Sequence, residues 1–490
     1  MASEGTYGLL IGGVESAAAS GETVELLDPA SNRPFARVAL GAPDDATHAM
    51  EVAQRAYETS EWAQGDGAKR ARALLRLAHL LEEQQEEFAA LETRNMGKTL
   101  RESRIDIGFV VRTLEYVGGL ADKIEGTTVP VPGSRFNYTV REPLGVTVHI
   151  APWNYPLLLA MRSVAPALAA GNTVVLKPAS LTPLTAIRLA RLVRSAGFPD
   201  GVVNVVPGPG GQLGEALVRD RRCRSVSFTG SAEVGRRIAG IAAERLVPAT
   251  LELGGKSPVV VLADADIDRA ARGIALGVFG NAGQMCWAGS RLVVHESGHD
   301  AVIAKVRAIA DAMRLGPGTD EGAEMGPLVS RDQERRVLDY VRSARDDGGK
   351  VVAGGGKPPD PRLADGNFVQ PTVVADLSPS ARAAREEIFG PVLSTFAFRD
   401  VEDAVRLANE TPYGLFAAVW TKDLPWAHHL ARRLEAGMVV VNEPPITFPQ
   451  TPFGGVKDSG IGSEQGIATV AAYTRAKNVL LNIAVPKKRS

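Results

Sequence analysis

Apolar residues recur at three- and four-residue intervals through residues 46–124, most clearly in Ala71-Arg72-Ala73-Leu74-Leu75-Arg76-Leu77-Ala78-His79-Leu80-Leu81, and this period predicts amphipathic helices. From about residue 136 the pattern changes. Phe136-Asn137-Tyr138-Thr139-Val140 and Val146-Thr147-Val148-His149-Ile150 read as strands, and after them short apolar runs alternate with longer amphipathic segments. The runs Thr173-Val174-Val175-Leu176, Val202-Val203-Asn204-Val205-Val206 and Ser225-Val226-Ser227-Phe228 are strand-like, and the segments between them are helix-like. Such alternation predicts parallel strands joined by right-handed crossovers. A second series begins near Pro258-Val259-Val260-Val261 and continues through Gly437-Met438-Val439-Val440-Val441. The pattern predicts an α/β protein of two doubly wound parallel-sheet domains that meet at a cleft. No internal repeat or low-complexity linker interrupts it, and Lys357-Pro358-Pro359-Asp360-Pro361 predicts a surface loop.

Composition narrows the classes of function. A chain of 490 residues predicts two to three domains at roughly 150 residues each, and a 45% hydrophobic content fills large cores. Lys plus Arg number 55 against 56 Asp plus Glu, so no global field favours a polyanion or a membrane surface, and neither nucleic acid nor membrane is expected as a partner. The start, Met1-Ala2-Ser3-Glu4-Gly5, lacks the basic and apolar regions of a signal peptide, and no apolar run reaches the roughly 18 residues of a spanning helix. The expected location is cytoplasmic. With Cys223 and Cys286 as the two cysteines and no Cys/His cluster, neither a disulfide framework nor a metal site is expected, and His428-His429 reads as a solvated helix pair.

Candidate chemistry centres on Cys286, in Gly283-Gln284-Met285-Cys286-Trp287, and on Glu252, a carboxylate between Leu251 and Leu253. Burial raises a carboxyl pKa toward the range useful to a base near neutral pH. Asn154, in Ala151-Pro152-Trp153-Asn154-Tyr155-Pro156, lies between a strand-like and a helix-like run, where a turn can aim its amide at a developing oxyanion. Thiol, carboxylate and amide together suit covalent acyl chemistry. Each has a plainer reading: Cys286 as a buried structural thiol, Glu252 as a satisfied buried acid, Asn154 as a helix cap and Trp153 as core. Cys223, set among Arg221, Arg222 and Arg224 without a Gly-rich frame, reads as structural.

Two further segments are open between two readings. Phe228-Thr229-Gly230-Ser231-Ala232-Glu233-Val234-Gly235 predicts a strand end, a Gly turn and a helix start, which suits a pyrophosphate or is an ordinary βα turn. The dinucleotide fingerprint is absent, and Gly208-Pro209-Gly210-Gly211 only approximates it. Lys177-Pro178-Ala179-Ser180 falls at a strand's carboxyl end, where a lysine holds a ribose hydroxyl or phosphate, or is solvated before a Pro stop.

Taken in order, these motifs resemble those of the aldehyde dehydrogenase superfamily over nearly the whole chain. The resemblance rests on Pro152-Trp153-Asn154-Tyr155-Pro156, Lys177-Pro178-Ala179, Phe228-Thr229-Gly230-Ser231, Glu252-Leu253-Gly254-Gly255-Lys256, Gly283-Gln284-Met285-Cys286, Glu386-Glu387-Ile388-Phe389-Gly390-Pro391 and Pro452-Phe453-Gly454-Gly455-Val456-Lys457-Asp458-Ser459-Gly460. It implies oxidation of a small-molecule aldehyde to an acid with NAD or NADP. Cys286 attacks the aldehyde, Asn154 and the Cys286 backbone N–H hold the oxyanion, and Glu252 activates the water that resolves the thioester. It also implies that Lys177 contacts the adenosine ribose, with Ser180 and Gly208 on the same side. Gly230 and Ser231 face the pyrophosphate, Glu387 holds the nicotinamide ribose, Phe389 lies beside the ring and Trp153 lines the site. NAD-preferring relatives often carry Glu where this chain has Ser180, so the resemblance leaves NADP open.

On the substrate side the resemblance implies Tyr155, Arg162, Trp287 and Phe453, with Ile446, Phe448 and Gln450 completing a tunnel. Arg162 is either the carboxylate anchor of semialdehyde-oxidising relatives or an arginine paired with a structural acid. The second reading is favoured, because the other arginine of succinic-semialdehyde relatives is Gly280 here. Trp287 and Phe453 suit an aromatic or medium-chain aldehyde, and Arg162 disfavours a cationic one. The implied organisation is a Rossmann-like NAD(P)-binding domain from 1–123 and 146–252, a catalytic domain at 253–443 and a small β oligomerisation element from 124–145 and 470–490, giving a homodimer or homotetramer. Two alternatives stand beside this: a CoA-acylating semialdehyde dehydrogenase, against which Glu252 argues, and a non-catalytic member of the fold.

Overall fold

Strands rich in Val, Ile and Leu that are buried on both faces must be covered on both sides, and the chain meets that requirement by making them parallel and flanking them with helices. A computed structural model of the protein describes residues 4–484. In its first sheet five parallel strands lie in the order Ala249–Glu252, Cys223–Thr229, Val146–Ile150, Thr173–Lys177, Val203–Val205. Every residue of Val146–Ile150 and Thr173–Lys177 is buried. Sequence order reverses between Val146–Ile150 and Cys223–Thr229, which leaves a crevice beyond the carboxyl ends of those two strands.

The sheet is not purely parallel as expected. Gly460–Ile461 pairs antiparallel with Ala249–Glu252 at one edge, and Leu9–Ile11 pairs antiparallel with Val203–Val205 at the other. A separate three-stranded sheet uses Glu4–Tyr7, Arg33–Ala39 and Thr23–Asp28. Several of these strands are too short for an alternating pattern to register in the sequence.

Helices Pro43–Thr59, Gly67–Glu83, Gln85–Met96 and Leu100–Gly118 fill the region whose period predicts them. In Gly67–Glu83 the Asp66 side chain accepts from the Ala68 N–H at the N-terminus, and Ala73, Leu74, Leu77, Ala78 and Leu81 form the buried stripe. Each buried leucine there contributes about 1.5–3 kcal/mol relative to exposure. Helix Pro156–Ala169, which follows the first central strand, is buried on almost every face and takes Arg162 inside with it.

The second sheet has the order Lys350–Ala353, Thr372–Ala375, Val392–Phe398, Arg291–His295, Pro258–Val261, Phe416–Trp420, Met438–Val441. All pairs are parallel except Lys350–Ala353 with Thr372–Ala375. Apart from the main sheets, Arg135–Pro143 pairs antiparallel with Thr474–Asn482, from Arg135 opposite Asn482 to Pro143 opposite Thr474. Phe136, Val140, Leu480 and Leu481 are exposed on this two-stranded ribbon. Residues 485–490, the end of the expected oligomerisation element, and residues 1–3 lie outside the described residues. Among the described residues no helix is long and apolar enough to cross a membrane.

Candidate active site

Three segments of the first sheet open on its switch point. The loop after Val146–Ile150 carries Trp153, Asn154 and Tyr155, the loop after Cys223–Thr229 carries Gly230 and Ser231, and strand Ala249–Glu252 ends on Glu252. Cys286 arrives from the opposite side, at the amino edge of the second sheet, between helix Ile267–Phe279 and strand Arg291–His295. Ahead of it the chain makes a left-handed turn through Asn281 (φ 49°), Ala282 (φ 51°) and Gly283 (φ 72°). Left-handed backbone costs a non-glycine residue about 1–2 kcal/mol, so this loop needs outside support.

Hydrogen bonds supply it. The Asn281 N–H donates to Glu102 Oε1 at 2.7 Å, Asn281 Nδ2 donates to the Asn154 carbonyl at 3.1 Å, and the Val329 N–H donates to Gln284 Oε1 at 2.9 Å. Asn154 Nδ2 donates to the Gln284 carbonyl at 2.8 Å. Asn154 therefore does not cap helix Pro156–Ala169, which has no side-chain cap. An amide nitrogen carries two N–H donors, so the bond to Gln284 orients the group and leaves a second N–H.

Glu252 is 1% exposed, and neither of its carboxylate oxygens has a hydrogen-bond partner. A satisfied structural acid does not look like this. Burial pushes its carboxyl well above the ordinary range, with Arg162 acting in the other direction. Cys286 is partly accessible, yet burial pushes its thiol up to about 12, again opposed by Arg162. Cys223 is buried, donates from Sγ to the Ser225 carbonyl, and is likewise pushed up to about 12 by burial.

Two cavities meet at Cys286. The first, about 220 Å³, is lined by Trp153, Asn154, Gly230, Ser231, Glu252, Cys286, Glu387 and Phe389. The Trp153 and Phe389 rings meet edge to face at 5.1 Å. Glu387 Oε1 accepts from the Gly255 N–H at 3.0 Å, and burial pushes the Glu387 carboxyl up to about 7. A Cβ on Gly254 would lie 2.3 Å from Glu387 Oε2, so the glycine is what lets that carboxylate in. The Gly230 N–H is committed to the Glu252 carbonyl at 3.0 Å, and Ser231 caps helix Ala232–Arg245 by accepting from the Val234 N–H.

Lys177, Ser180 and Gly208 are not in the wall of that cavity. Ser180 Oγ donates to the Gly208 carbonyl at 2.7 Å, which ties two loops of the same sheet edge together. Lys177 Nζ is buried rather than solvated, donates to the Pro178 carbonyl at 3.1 Å, and is pushed down to about 8 by burial.

The second cavity, about 540 Å³, includes Tyr155, Arg162, Cys286, Trp287, Ile446, Phe448, Gln450 and Phe453 in its wall. Trp287 packs edge to face on Phe453 at 5.5 Å and on Phe416 at 6.0 Å. Arg162 is ion-paired to Glu464, with both side chains buried, and its guanidinium lies 4.4 Å from the Phe453 ring centroid. Of the two readings for Arg162, pairing with an acid is the arrangement observed. Phe109, Leu159 and Met285 also line this cavity, and Gln333 and Arg336 line the first. Phe109 carries no signal separable from an ordinary buried helix stripe. Glu464 carries one: it stands in Gly462-Ser463-Glu464-Gln465-Gly466, a carboxylate framed by glycines with φ of 81° and 69°.

The model of the Aldehyde dehydrogenase family matches residues 16–479. The putative aldehyde dehydrogenase DhaS of Bacillus subtilis (strain 168) is 41% identical over 98% of this chain and 96% of its own. A phenylacetaldehyde dehydrogenase of Pseudomonas fluorescens is 44% identical over 96% of this chain and 95% of its own. Among solved structures, the NAD+ complex of an aldehyde dehydrogenase from Bacillus cereus superposes with a TM-score of 0.95 at 40% identity, covering 98% of this chain and 97% of that one.

Proposed function

The chain belongs to the aldehyde dehydrogenase family, and from that premise we propose that it oxidises an apolar aldehyde, aromatic or of medium chain length, to the carboxylic acid with NAD or NADP as the oxidant. The observation that carries the substrate reading is the larger cavity. Its wall is dominated by Phe109, Trp287, Phe448, Phe453 and aliphatic side chains, and the buried guanidinium within it is already paired with Glu464. The relative named as a phenylacetaldehyde dehydrogenase supports the same class.

In this reading Cys286, as thiolate, adds to the carbonyl carbon. The second N–H of Asn154 and the Cys286 backbone N–H receive the oxyanion, and such a donor contributes about 10²- to 10³-fold in rate. As the oxyanion collapses to a carbonyl, the former aldehyde hydrogen leaves as hydride and Cys286 is left as a thioester; a bound nicotinamide coenzyme would supply the hydride acceptor. Glu252 then takes a proton from the water that attacks the thioester carbon, the C–S bond breaks, and the thiol is restored. Its two unpartnered oxygens suit a group that must turn toward a water.

The smaller cavity suits the coenzyme. Glu387 fits a ribose diol, Trp153 and Phe389 fit the nicotinamide, the Gly230-Ser231 turn at a helix start fits a pyrophosphate, and Lys177 with Ser180 and Gly208 fits the adenosine ribose farther along the sheet edge. Ser180 brings no negative charge against a 2′-phosphate, so both coenzymes are expected to serve. The coenzyme unit would comprise 1–123 and 146–252, the catalytic unit 253–443, and the ribbon from 124–145 and 470–490 would join copies into a homodimer or homotetramer. The exposed Phe136, Val140, Leu480 and Leu481 support that role for the ribbon.

Initial rates of reduced-coenzyme formation on phenylacetaldehyde, hexanal, succinic semialdehyde and betaine aldehyde, with NAD and NADP separately, test the proposal. Phenylacetaldehyde and hexanal should give the highest kcat/KM. A clear preference for succinic semialdehyde would overturn the substrate class, and turnover that requires added coenzyme A would replace hydrolysis with acyl transfer.

A further inference from the structure

A buried guanidinium and the candidate nucleophile share one cavity wall. Arg162, 4% exposed, is held on one side by Glu464 and on the other by the face of Phe453. Glu464 is committed in turn, because its Oε1 accepts from Ser227 Oγ at 3.0 Å. The guanidinium is thus clamped at its Nε edge, while its Nη2 is buried without a hydrogen-bond partner. An arginine does not give up its proton inside a protein. A permanent positive charge with a spare donor edge therefore stands in the chamber that contains Cys286.

We propose that Arg162 is a positioning residue for the nucleophile: a fixed internal cation that favours the thiolate of Cys286 over the thiol, instead of an anchor for a substrate carboxylate. The inference rests on Cys286 being the nucleophile. The charged and titratable groups that act on Cys286 come from several elements. Arg162 comes from helix Pro156–Ala169, Glu252 from the end of strand Ala249–Glu252, and Glu387 from the loop before Val392–Phe398. Tyr155 precedes the arginine's helix and acts as a neutral phenol, its own ionisation pushed far up by burial. Burial and the two carboxylates all oppose ionisation of the thiol, and Arg162 is the side chain that favours it. Farther along the same wall lie Glu102, which accepts from the Asn281 N–H, and Asp106, which is paired with Lys98. The clamp also explains how a permanent cation is tolerated there: Glu464 balances it without sitting between it and the thiol's chamber, whose wall includes Arg162 and Cys286 but not Glu464.

The test is alkylation of Cys286 by iodoacetamide, followed on the Cys286 peptide by mass spectrometry, with no aldehyde or coenzyme present. Wild type is compared with Arg162→Lys, Arg162→Met and the double variant Arg162→Met/Glu464→Gln. The double variant also removes the carboxylate that Arg162→Met alone strands without its guanidinium, so it keeps the question open to measurement if Arg162→Met fails to fold. Removing the cation should move the alkylation midpoint up by about one pH unit or more and slow the reaction about tenfold near neutral pH, whereas Arg162→Lys should stay within about threefold of wild type. A merely structural role would not move that midpoint. Wild-type alkylation behaviour in a cooperatively melting double variant would overturn the proposal, as would an Arg162→Lys profile displaced as far as that of Arg162→Met. Because the assay contains no substrate, failure of the wild type to oxidise any aldehyde would overturn the proposed function and leave this outcome readable.

Discussion

Asn154 Nδ2 donates to the carbonyl oxygen of Gln284 at 2.8 Å, across 130 positions of sequence. That bond joins the switch-point loop of the first sheet to the loop of the second that carries Cys286, and it fixes where the remaining amide N–H points. Asn154→Ala is expected to lower kcat/KM about 10²- to 10³-fold while leaving coenzyme affinity nearly unchanged. Steady-state kinetics together with a coenzyme titration check both parts.

Glu252 makes a prediction about both rate and pH. In Glu252→Gln the first turnover should still release reduced coenzyme, while steady-state turnover falls about 10²- to 10⁴-fold; rapid-mixing absorbance separates the two. Its folded carboxyl sits well above the ordinary value of 4.5 because it is buried. A raised acid contributes stability that is present below its unfolded pKa and lost as pH rises toward its folded one, since the unfolded state gains by ionising first. Glutamine cannot ionise. The Tm of Glu252→Gln relative to wild type should therefore climb as pH is raised above that ordinary value, and a pH-independent difference would contradict the assignment.

Gly283 is required by two independent constraints. Its φ is 72°, and a Cβ there would lie 2.2 Å from the backbone of Gly390. Gly283→Ala is expected to cost about 2 kcal/mol or more from backbone strain and the clash, read as a lower Tm by calorimetry, with activity lost out of proportion because the loop presents Cys286.

The ribbon of Arg135–Pro143 and Thr474–Asn482 exposes Val140 and Leu481. If it joins copies of the chain, Leu481→Glu should shift the sedimenting species to a smaller oligomer or a monomer. The mass measured by analytical ultracentrifugation decides this, and an unchanged mass would place the interface elsewhere.

Much of the architecture is legible in the sequence because its physical causes are local. The run at Pro258–Val261 is continuous and apolar because both faces are covered, and the stripe through Leu74, Leu77 and Leu81 repeats because one helix face is buried. Leu9–Ile11 and Gly460–Ile461 are strands only because a partner edge is present, so no period of their own betrays them. Cys286, Glu252 and Asn154 are legible for a similar reason: each stands in a short Gly- or Pro-framed motif, and the fold brings all three to one cavity. The partner of Arg162 is not legible, since Glu464 lies 302 positions away and nothing local links them. Lys177, Ser180 and Gly208 lie beyond the wall of the smaller cavity; the Ser180 hydroxyl donates to the Gly208 carbonyl, and Lys177 donates to the Pro178 carbonyl.

Trapping the covalent state tests directly whether Cys286 is the nucleophile. Glu252→Gln is mixed with coenzyme and phenylacetaldehyde, quenched in acid during the first turnover, and digested for mass spectrometry. An acyl group is expected on the peptide containing Cys286, formed in step with reduced coenzyme and missing from the Cys286→Ala variant. Reduced coenzyme appearing without that adduct, or the adduct appearing on Cys223, would contradict it.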